Sequence, residues 1–440
     1  MKLRKSVFHL LIWQGSTYLI PLIVTPYLAR MLGVNAFGTY GLSLAFAMYG
    51  MLLTDWGFNL SAAQKTARAH DDHDTLRTIF WNVMTARMLL ACAAAILLVI
   101  ATITVPMLRA IWPVVLAAST IVLSTALSAN FFLQGLQYMG AFAVSALIGR
   151  LLIIPLTFAF VHRPEDVVIA VLIQNATQLI SAIASIVIAS KRVKLGRPRF
   201  DLDGALLEIR EGWHLFVSTF SVSFYTHANA VVVGFASGHT QAGILTASQR
   251  VGQAFQQLIQ PLNMAVYPQV NRLSEADPRA AVRLMKRVLV GQSAIVFLIS
   301  LTMFLSAPYL VPIFLGRAFA SAVPVVQVLS VMPFLAGLTN ILGGNMLLPL
   351  GLRGPYMTGL ALSGMVNIAL LLILAPARGA MGAAISASTT ELFLAGFDAV
   401  VLYQNRGLIV RMMAGENPSK MNAAPEAAEA FESDYAVNAL

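Results

Sequence analysis

A chain of 440 residues with 58% apolar and 11% charged residues, and a mean hydropathy of +0.76, carries more apolar surface than one water-soluble core can bury. Its net charge of +10 does not mark a nucleic-acid binder, because the Lys and Arg residues stand in short clusters between apolar runs rather than on one domain. The apolar runs lack the alternation of a β-barrel, which leaves helices crossing a bilayer.

The chain opens on Met1-Lys2-Leu3-Arg4-Lys5 and an apolar run, as a signal peptide would. That run continues past Ile20 to about Leu32, contains Gln14 and offers no small-residue cleavage site before it ends, so it reads as a retained first span. At roughly 20 apolar residues per crossing, the spans expected in the first half are 8–30, 38–62, 79–103, 109–131, 141–161 and 166–190. Those in the second half are 212–236, 244–270, 286–307, 322–347, 355–376 and 381–403. The expectation is an all-α polytopic membrane protein of about 12 spans: a bundle over 1–190, a linker over 191–211, a bundle over 212–404, and a tail over 405–440. Leu202, Leu206, Leu207 and Ile209 among acidic and basic residues suggest a short interfacial helix in the linker. The distal tail, rich in Ala and Glu, reads as disordered. Cys92 stands alone in an apolar stretch, cannot form an intrachain disulfide and reads as a packing residue.

With the N-terminus inside, 21 of the 29 Lys and Arg residues fall on the inner side and five (Arg30, Arg109, Arg163, Arg317 and Arg378) on the outer side. That bias places both termini in the cytoplasm. Six spans per half make the halves parallel rather than inverted repeats. A faint echo agrees: Gly33-Val34-Asn35-Ala36-Phe37-Gly38 precedes span 2, and Gly238-His239-Thr240-Gln241-Ala242-Gly243 precedes span 8.

Charges inside spans need a partner, water or a function, and five stand out: Asp55, Arg87, Arg150, Arg250 and Glu391. Asp55 and Arg87 lie at similar depth and either pair to hold spans 2 and 3 together or serve transport. Arg150 and Arg250 either snorkel to a surface or meet an anionic substrate. Glu391 is either a proton carrier or a hydrogen-bonded helix contact. In span 8, Gln249, Gln253, Gln256, Gln260 and Asn263 recur at steps of 4, 3, 4 and 3 and so form one polar stripe, flanked by Arg250 and Gln257. Five polar residues in register point to the wall of a wet cavity rather than to helix contacts alone. Span 7 repeats the pattern with His214, Ser218, Ser221 and Tyr225; span 1 carries Gln14, Ser16, Thr17 and Tyr18, then Pro21 and Pro26, which bend a helix. No phosphate-binding glycine loop, Cys/His metal set or nucleophile with a nearby base appears, and no outer loop is long enough for a catalytic domain.

Several stretches resemble bacterial polysaccharide flippases of the Wzx type, in the superfamily shared with multidrug exporters and lipid II flippases. They are Pro26-Tyr27-Leu28-Ala29-Arg30-Met31-Leu32-Gly33, Gly38-Thr39-Tyr40-Gly41-Leu42, Thr54-Asp55-Trp56-Gly57-Phe58 and Phe132-Leu133-Gln134-Gly135-Leu136-Gln137-Tyr138-Met139. Ala247-Ser248-Gln249-Arg250 through Pro268, and Gly379-Ala380-Met381-Gly382-Ala383-Ala384 leading to Glu391, complete the set, which spans about residues 6–404. The resemblance implies two six-helix bundles around a central cavity open alternately to either face. It also implies an undecaprenyl-pyrophosphate-linked oligosaccharide carried from cytoplasm to periplasm across the bacterial inner membrane, no cofactor, and polysaccharide polymerase or assembly proteins as partners. Asp55, Arg150 and Arg250 sit in matching motifs, Arg87 less clearly, and Gln137 stands where relatives often carry an acidic residue. The competing expectations are a cation-coupled multidrug exporter, disfavoured by a first span without a carboxylate, and a membrane polymerase or ligase, disfavoured by the short outer loops.

Overall fold

A computed structural model describes residues 2–69, 72–193 and 195–415; the side chains of 2–14, 218, 221, 222, 224–227 and 260–265 lie outside that description. The expected disorder of the tail from 416 onward also falls outside it. Among the described residues the chain is helical and holds no strand. The α-helices in order are α1 (Lys2–Asp55), α2 (Phe58–Arg68), α3 (His73–Thr104), α4 (Pro106–Ala110), α5 (Trp112–Ser119), α6 (Ile121–Ala126), α7 (Asn130–Gly135) and α8 (Met139–Phe160). They continue with α9 (Val167–Arg192), α10 (Leu202–Gln257), α11 (Gln260–Ala276), α12 (Pro278–Phe314), α13 (Val323–Leu329), α14 (Met332–Thr339), α15 (Arg353–Gln404) and α16 (Arg406–Ala414). A π-helical segment, Asn340–Leu347, follows α14.

Eight stretches are long and apolar enough to cross a membrane. The number of passes is larger, because α1 has 54 residues, or about 80 Å of straight helix against a hydrocarbon core of about 30 Å. It turns at Gly33 (φ 68°, ψ 176°); α10 and α15 turn likewise at Gly238 (φ 84°, ψ 174°) and Gly379 (φ 56°, ψ −130°). These backbone conformations are strained for residues with a Cβ, so each glycine breaks one long helix into two legs. Among the described residues, the two legs of each of α1, α10 and α15, together with α3, α5–α7, α8, α9, α12 and α13–α14, make twelve helical legs; α10 is not one of the eight stretches.

The chain divides into two compact units. The first is Met1–Ala247 with Tyr309–Ala322 and Ala375–Ala380; the second is Ser248–Pro308 with Val323–Leu374 and Met381–Leu440. The linker at 191–211 therefore falls inside the first unit. Its expected interfacial helix is not separate: residues 202–211 are the opening turns of α10, continuous with the seventh pass. Those turns are held by α2 and by the turn that precedes it. Trp56 donates Nε1–H to the Ile209 carbonyl at 2.8 Å and stacks on Phe216 with ring centroids 3.9 Å apart, while Lys65 pairs with Glu208 at 2.7 Å and Glu211 at 2.6 Å. Side chains that read as an amphipathic surface pattern are thus a docking face, with Ala205, Glu208 and Gly212 turned inward and Leu202, Leu206 and Leu207 outward.

The first unit has an aromatic core of Trp56, Phe58, Phe80, Phe131 and Phe132 between α2, α3 and α7. The expected fourth span is broken into α5, α6 and α7. In lipid the backbone groups freed at the break need partners, and α9 supplies them: Asn175 Nδ2 donates to the carbonyls of Ala117 and Ala118, each at 2.9 Å, and to Thr120 Oγ1 at 3.1 Å. Asp72 caps α3 by accepting from the Thr75 hydroxyl and from the backbone N–H groups of Thr75 and Asp74, which together hold its carboxyl below the usual range. Cys92 is exposed on α3 rather than packed, a correction to the sequence reading.

The two glycine-flanked hexapeptides meet within the first unit. A Cβ on Gly38 would lie 1.8 Å from the His239 carbonyl oxygen, and a Cβ on Gly243 would lie 2.2 Å from the Val34 carbonyl oxygen. The sixth residue of each segment therefore presses on the second residue of the other, the reciprocal contact that a local two-fold relation produces. Gly41 continues it against Thr246. The echo in the sequence is a matched pair of corners in space. In the second unit, Val270, Met285, Ile341, Leu347, Leu350 and Met412 form the fully buried core.

Candidate transport-pathway residues

Asp55 ends α1, and Arg87 lies mid-way along α3 with none of its side chain exposed. The guanidinium donates from Nη2 to Asp55 Oδ1 at 2.7 Å and to Asn59 Oδ1 at 3.2 Å, and from Nη1 to the Ser128 carbonyl at 2.5 Å. Asn59 also donates to Asp55 Oδ1 at 2.7 Å, while the rings of Phe131 and Phe58 lie 5.0 and 5.9 Å from the Arg87 Cζ. A charge enclosed by an ion pair, a carbonyl and two aromatic faces is spent on joining α1, α2, α3 and α7. Of the two alternatives read from sequence, the geometry favours pairing: Arg87 is enclosed, and Asp55 is its counter-ion. Asp55, Trp56 and Gly57 act together in this, since Trp56 (φ 47°) and Gly57 (φ 78°) form the sharp turn that aims α2 at the cluster.

Arg150 is half-buried on α8 and hydrogen-bonds Thr17 Oγ1 of α1, so it lies against the first pass rather than reaching for a surface. Thr17 belongs to the polar set read in span 1; the Gln14 side chain of that set is outside the described residues. Arg250, by contrast, is exposed and makes no hydrogen bond or ion pair among the described residues.

The stripe of span 8 does not run along one helix. The helix stops at Gln257, and α11 restarts at Gln260 with Pro261 in its first turn. A proline tolerates a helix start because its missing N–H has no partner there anyway. Gln249 and Gln256 are half-buried and Gln253 is exposed, whereas Val251 and Ile259 are buried at 2% and 5% exposure. The side chains of Gln260, Asn263 and, in the seventh pass, Ser218, Ser221 and Tyr225 fall outside the described residues. His214 is exposed, and no group of three His, Cys, Asp or Glu suited to a metal exists among the described residues.

In the second unit Glu391 on α15 accepts a hydrogen bond from Thr339 Oγ1 at 3.3 Å. The residue just before it, Thr390, joins Ser386 and Asn367 in a buried polar contact between the two legs of α15, with Asn367 Nδ2 3.3 Å from Thr390 Oγ1. Sequence reading missed Asp398, which is fully buried seven residues after Glu391. That spacing puts both on one helical face, and the signal was present in a span otherwise free of acids. It missed Asn59 and Asn175 as well, because neutral amides inside apolar runs look alike until their partners are known.

A chain helical throughout its described residues but for short connections, with eight stretches long and apolar enough to cross a membrane, is a polytopic all-α membrane protein. Two solved structures share the fold: a lipid II flippase, MurJ, in an inward closed conformation (TM-score 0.67, 13% identity, 92% of this chain and 90% of that one) and an inward-facing multidrug resistance transporter of the MATE family in the MOP superfamily (0.64, 15%, 92% and 98%). The pattern of the family described as polysaccharide biosynthesis protein matches residues 3–274. A protein of Escherichia coli K12 assigned as an O-antigen transporter is 30% identical over 409 residues, covering 93% of this chain and 99% of its own length. A Shigella dysenteriae protein with the same assignment is 27% identical, covering 90% and 98%. The chain belongs to the polysaccharide biosynthesis protein family.

Proposed function

We propose that the protein is a flippase that moves an undecaprenyl-pyrophosphate-linked oligosaccharide from the cytoplasmic to the periplasmic leaflet of a bacterial inner membrane by alternating access. The end-to-end kinship with O-antigen transporters carries this reading. Membrane lipid surrounds the protein, and glycan polymerase or assembly proteins are further partners. Arg150 and Arg250 receive the pyrophosphate, because a guanidinium offers phosphate a fixed fork of donors. Gln249, Gln253, Gln256, Gln260 and Asn263, with Gln14 and Tyr225, replace water around sugar hydroxyls. Glu391 is the group for ion coupling, while Asp55 is engaged by Arg87. The protein acts on its substrate without breaking a bond.

The test is surface glycan in a strain lacking its own flippase. The wild-type chain restores it, and Arg150→Ala and Arg250→Ala each reduce it at least tenfold at equal membrane levels; Arg150→Lys recovers part, since charge returns without the fork. Normal glycan display by both alanine variants would remove the arginines from the pathway. Arg250, exposed and unpaired among the described residues, is the cleaner of the two, because its loss leaves no buried partner behind. Efflux of cationic dyes without glycan display would favour the multidrug exporter.

Both termini are placed in the cytoplasm by the excess of Lys and Arg on one side. A phosphatase reporter fused after residue 415 is expected to be inactive and one fused at 239 active; the reverse pattern would invert the topology.

A further inference from the structure

The short helix α16 has apolar residues on two faces, and the second unit covers one of them. Leu408 and Met412, four residues apart, turn into the core of that unit, and Met412 has no exposed surface. Arg406, Val410 and Met413 recur at steps of 4 and 3 on the opposite face and are all exposed, Val410 at 62%. The helix is held in place at both ends: Asn405 donates from Nδ2 to the Val401 carbonyl at 2.9 Å, and Arg279 of α12 donates from Nη2 to the Ala414 carbonyl at 2.9 Å. The Arg406 Cζ lies 4.5 Å from the ring centroid of Tyr403, itself 68% exposed, so the strip on α16 continues onto the last turn of α15, where Val400 is exposed as well.

Helix length says what covers this strip. From its bend at Gly379 to Gln404, the second leg of α15 is about 38 Å long at a rise near 1.5 Å per residue. That exceeds a hydrocarbon core of about 30 Å and falls short of the roughly 40–45 Å that includes both headgroup layers. A leg that enters at one edge of the hydrocarbon therefore ends within the opposite headgroup layer, and α16 starts there. Val400 and Tyr403 then face lipid, and Val410 and Met413 prolong the same apolar surface among headgroups. The charge at this level is positive: Arg406 and Arg411 are exposed, and neither pairs with a carboxylate among the described residues, while Asp277 at the start of α12 is 4.0 Å from Arg283. A guanidinium offers a phosphate its fork of donors, and a tyrosine ring beside it suits the boundary between headgroup and acyl chain.

We propose that α16 is a docking site for an anionic phospholipid, whose phosphate meets Arg406 and Arg411 and whose upper acyl chain lies along Tyr403, Val410 and Met413. Only the assignment of this lipid to the cytoplasmic leaflet rests on the topology given above. The site ties the end of the last pass to the membrane surface and makes the second unit responsive to the charge of the surrounding lipid.

The test needs no glycan and so stands apart from the flippase reading. Full-length protein carrying Cys92→Ala and Ala414→Cys is labelled with bimane at the exposed position 414 and reconstituted in phosphatidylcholine bilayers at low ionic strength. Brominated phosphatidylglycerol or brominated phosphatidylcholine is then titrated in, and quenching reports lipid beside α16 alone, whatever binds elsewhere on the protein. Half-maximal quenching is expected at a mole fraction of brominated phosphatidylglycerol at least fivefold below that of brominated phosphatidylcholine. Arg406→Gln with Arg411→Gln is expected to make the two lipids equal. Salt at about 1 M, where charges are screened within about 3 Å, should do the same to the parent protein, and carries the comparison alone if the double variant does not fold. Equal quenching in the parent, no quenching by either lipid, or a preference that survives both the double variant and salt overturns the proposal. Quenching that appears only after residues 416–440 are removed overturns it too, in favour of the acidic end of this chain as the occupant.

Discussion

Arg87→Ala is expected to destabilise the protein by about 3–5 kcal/mol, the cost of leaving a buried counter-ion unpaired, and to be read as a loss of monodisperse, folded protein after detergent extraction. Asp55 would keep only Asn59, and the Ser128 carbonyl would lose its donor. Arg87→Lys should recover little, since one ammonium cannot reach Asp55, Asn59 and the Ser128 carbonyl in the directions a guanidinium spans. Arg87→Met with Asp55→Leu should restore much of the stability, because neither charge then remains to be desolvated. The same series separates packing from transport. If Arg87→Ala extracts as well as the wild type but no longer supports glycan display, Arg87 meets substrate and its assignment as a packing cation fails.

The second large effect is expected at the paired corners. Gly38→Leu would put a side chain where the His239 carbonyl stands, and Gly243→Leu would do the same at Val34, so each must push the corners apart by more than an ångström. Insertion should be normal, because the glycines face a contact between passes and not the fold of either hairpin. Glycan display should be lost if closing these corners is part of the cycle. A cysteine at 242, in a Cys92→Ala background, reports the opening directly: Ala242 has no exposed surface when the corners are closed. An impermeant thiol reagent added outside cells should leave that cysteine unlabelled in the parent and label it when Gly38→Leu is present. Unchanged labelling would mean that the corners do not form a seal.

The fold was largely legible along the chain because lipid imposes a single rule. Backbone groups in hydrocarbon must bond within their own helix, so apolar run length alone marks each pass. Among the described residues the helical legs follow the order of the apolar runs, and the three glycines that bend the longest helices stand between paired runs. Where the reading departed from the structure, the missing information was the identity of a neighbour. Leu202 to Ile209 have an amphipathic pattern, yet which face is covered depends on Trp56 and Lys65, far away in sequence. The stripe of span 8 follows helical spacing, yet the helix ends at Gln257, a choice that Pro261 permits without dictating.

The same division holds for the candidate site. Asp55, Arg87, Arg150, Arg250 and Glu391 were recognisable from sequence by cost, since a charge in an apolar run demands an explanation. Sequence could not say which explanation applies, because an ion pair, a hydrogen bond to a neighbouring helix and an exposed charge differ only in what stands opposite. Tertiary packing decided that Arg87 is enclosed by Asp55, Asn59 and two phenylalanines, that Arg150 meets Thr17, and that Arg250 is exposed. It decided as well that Asp398 is buried with neither carboxylate oxygen hydrogen-bonded among the described residues. Composition is local and additive, so the chain by itself determines where helices form and that they lie in lipid. A partner is a property of two segments at once, and only packing brings those segments together.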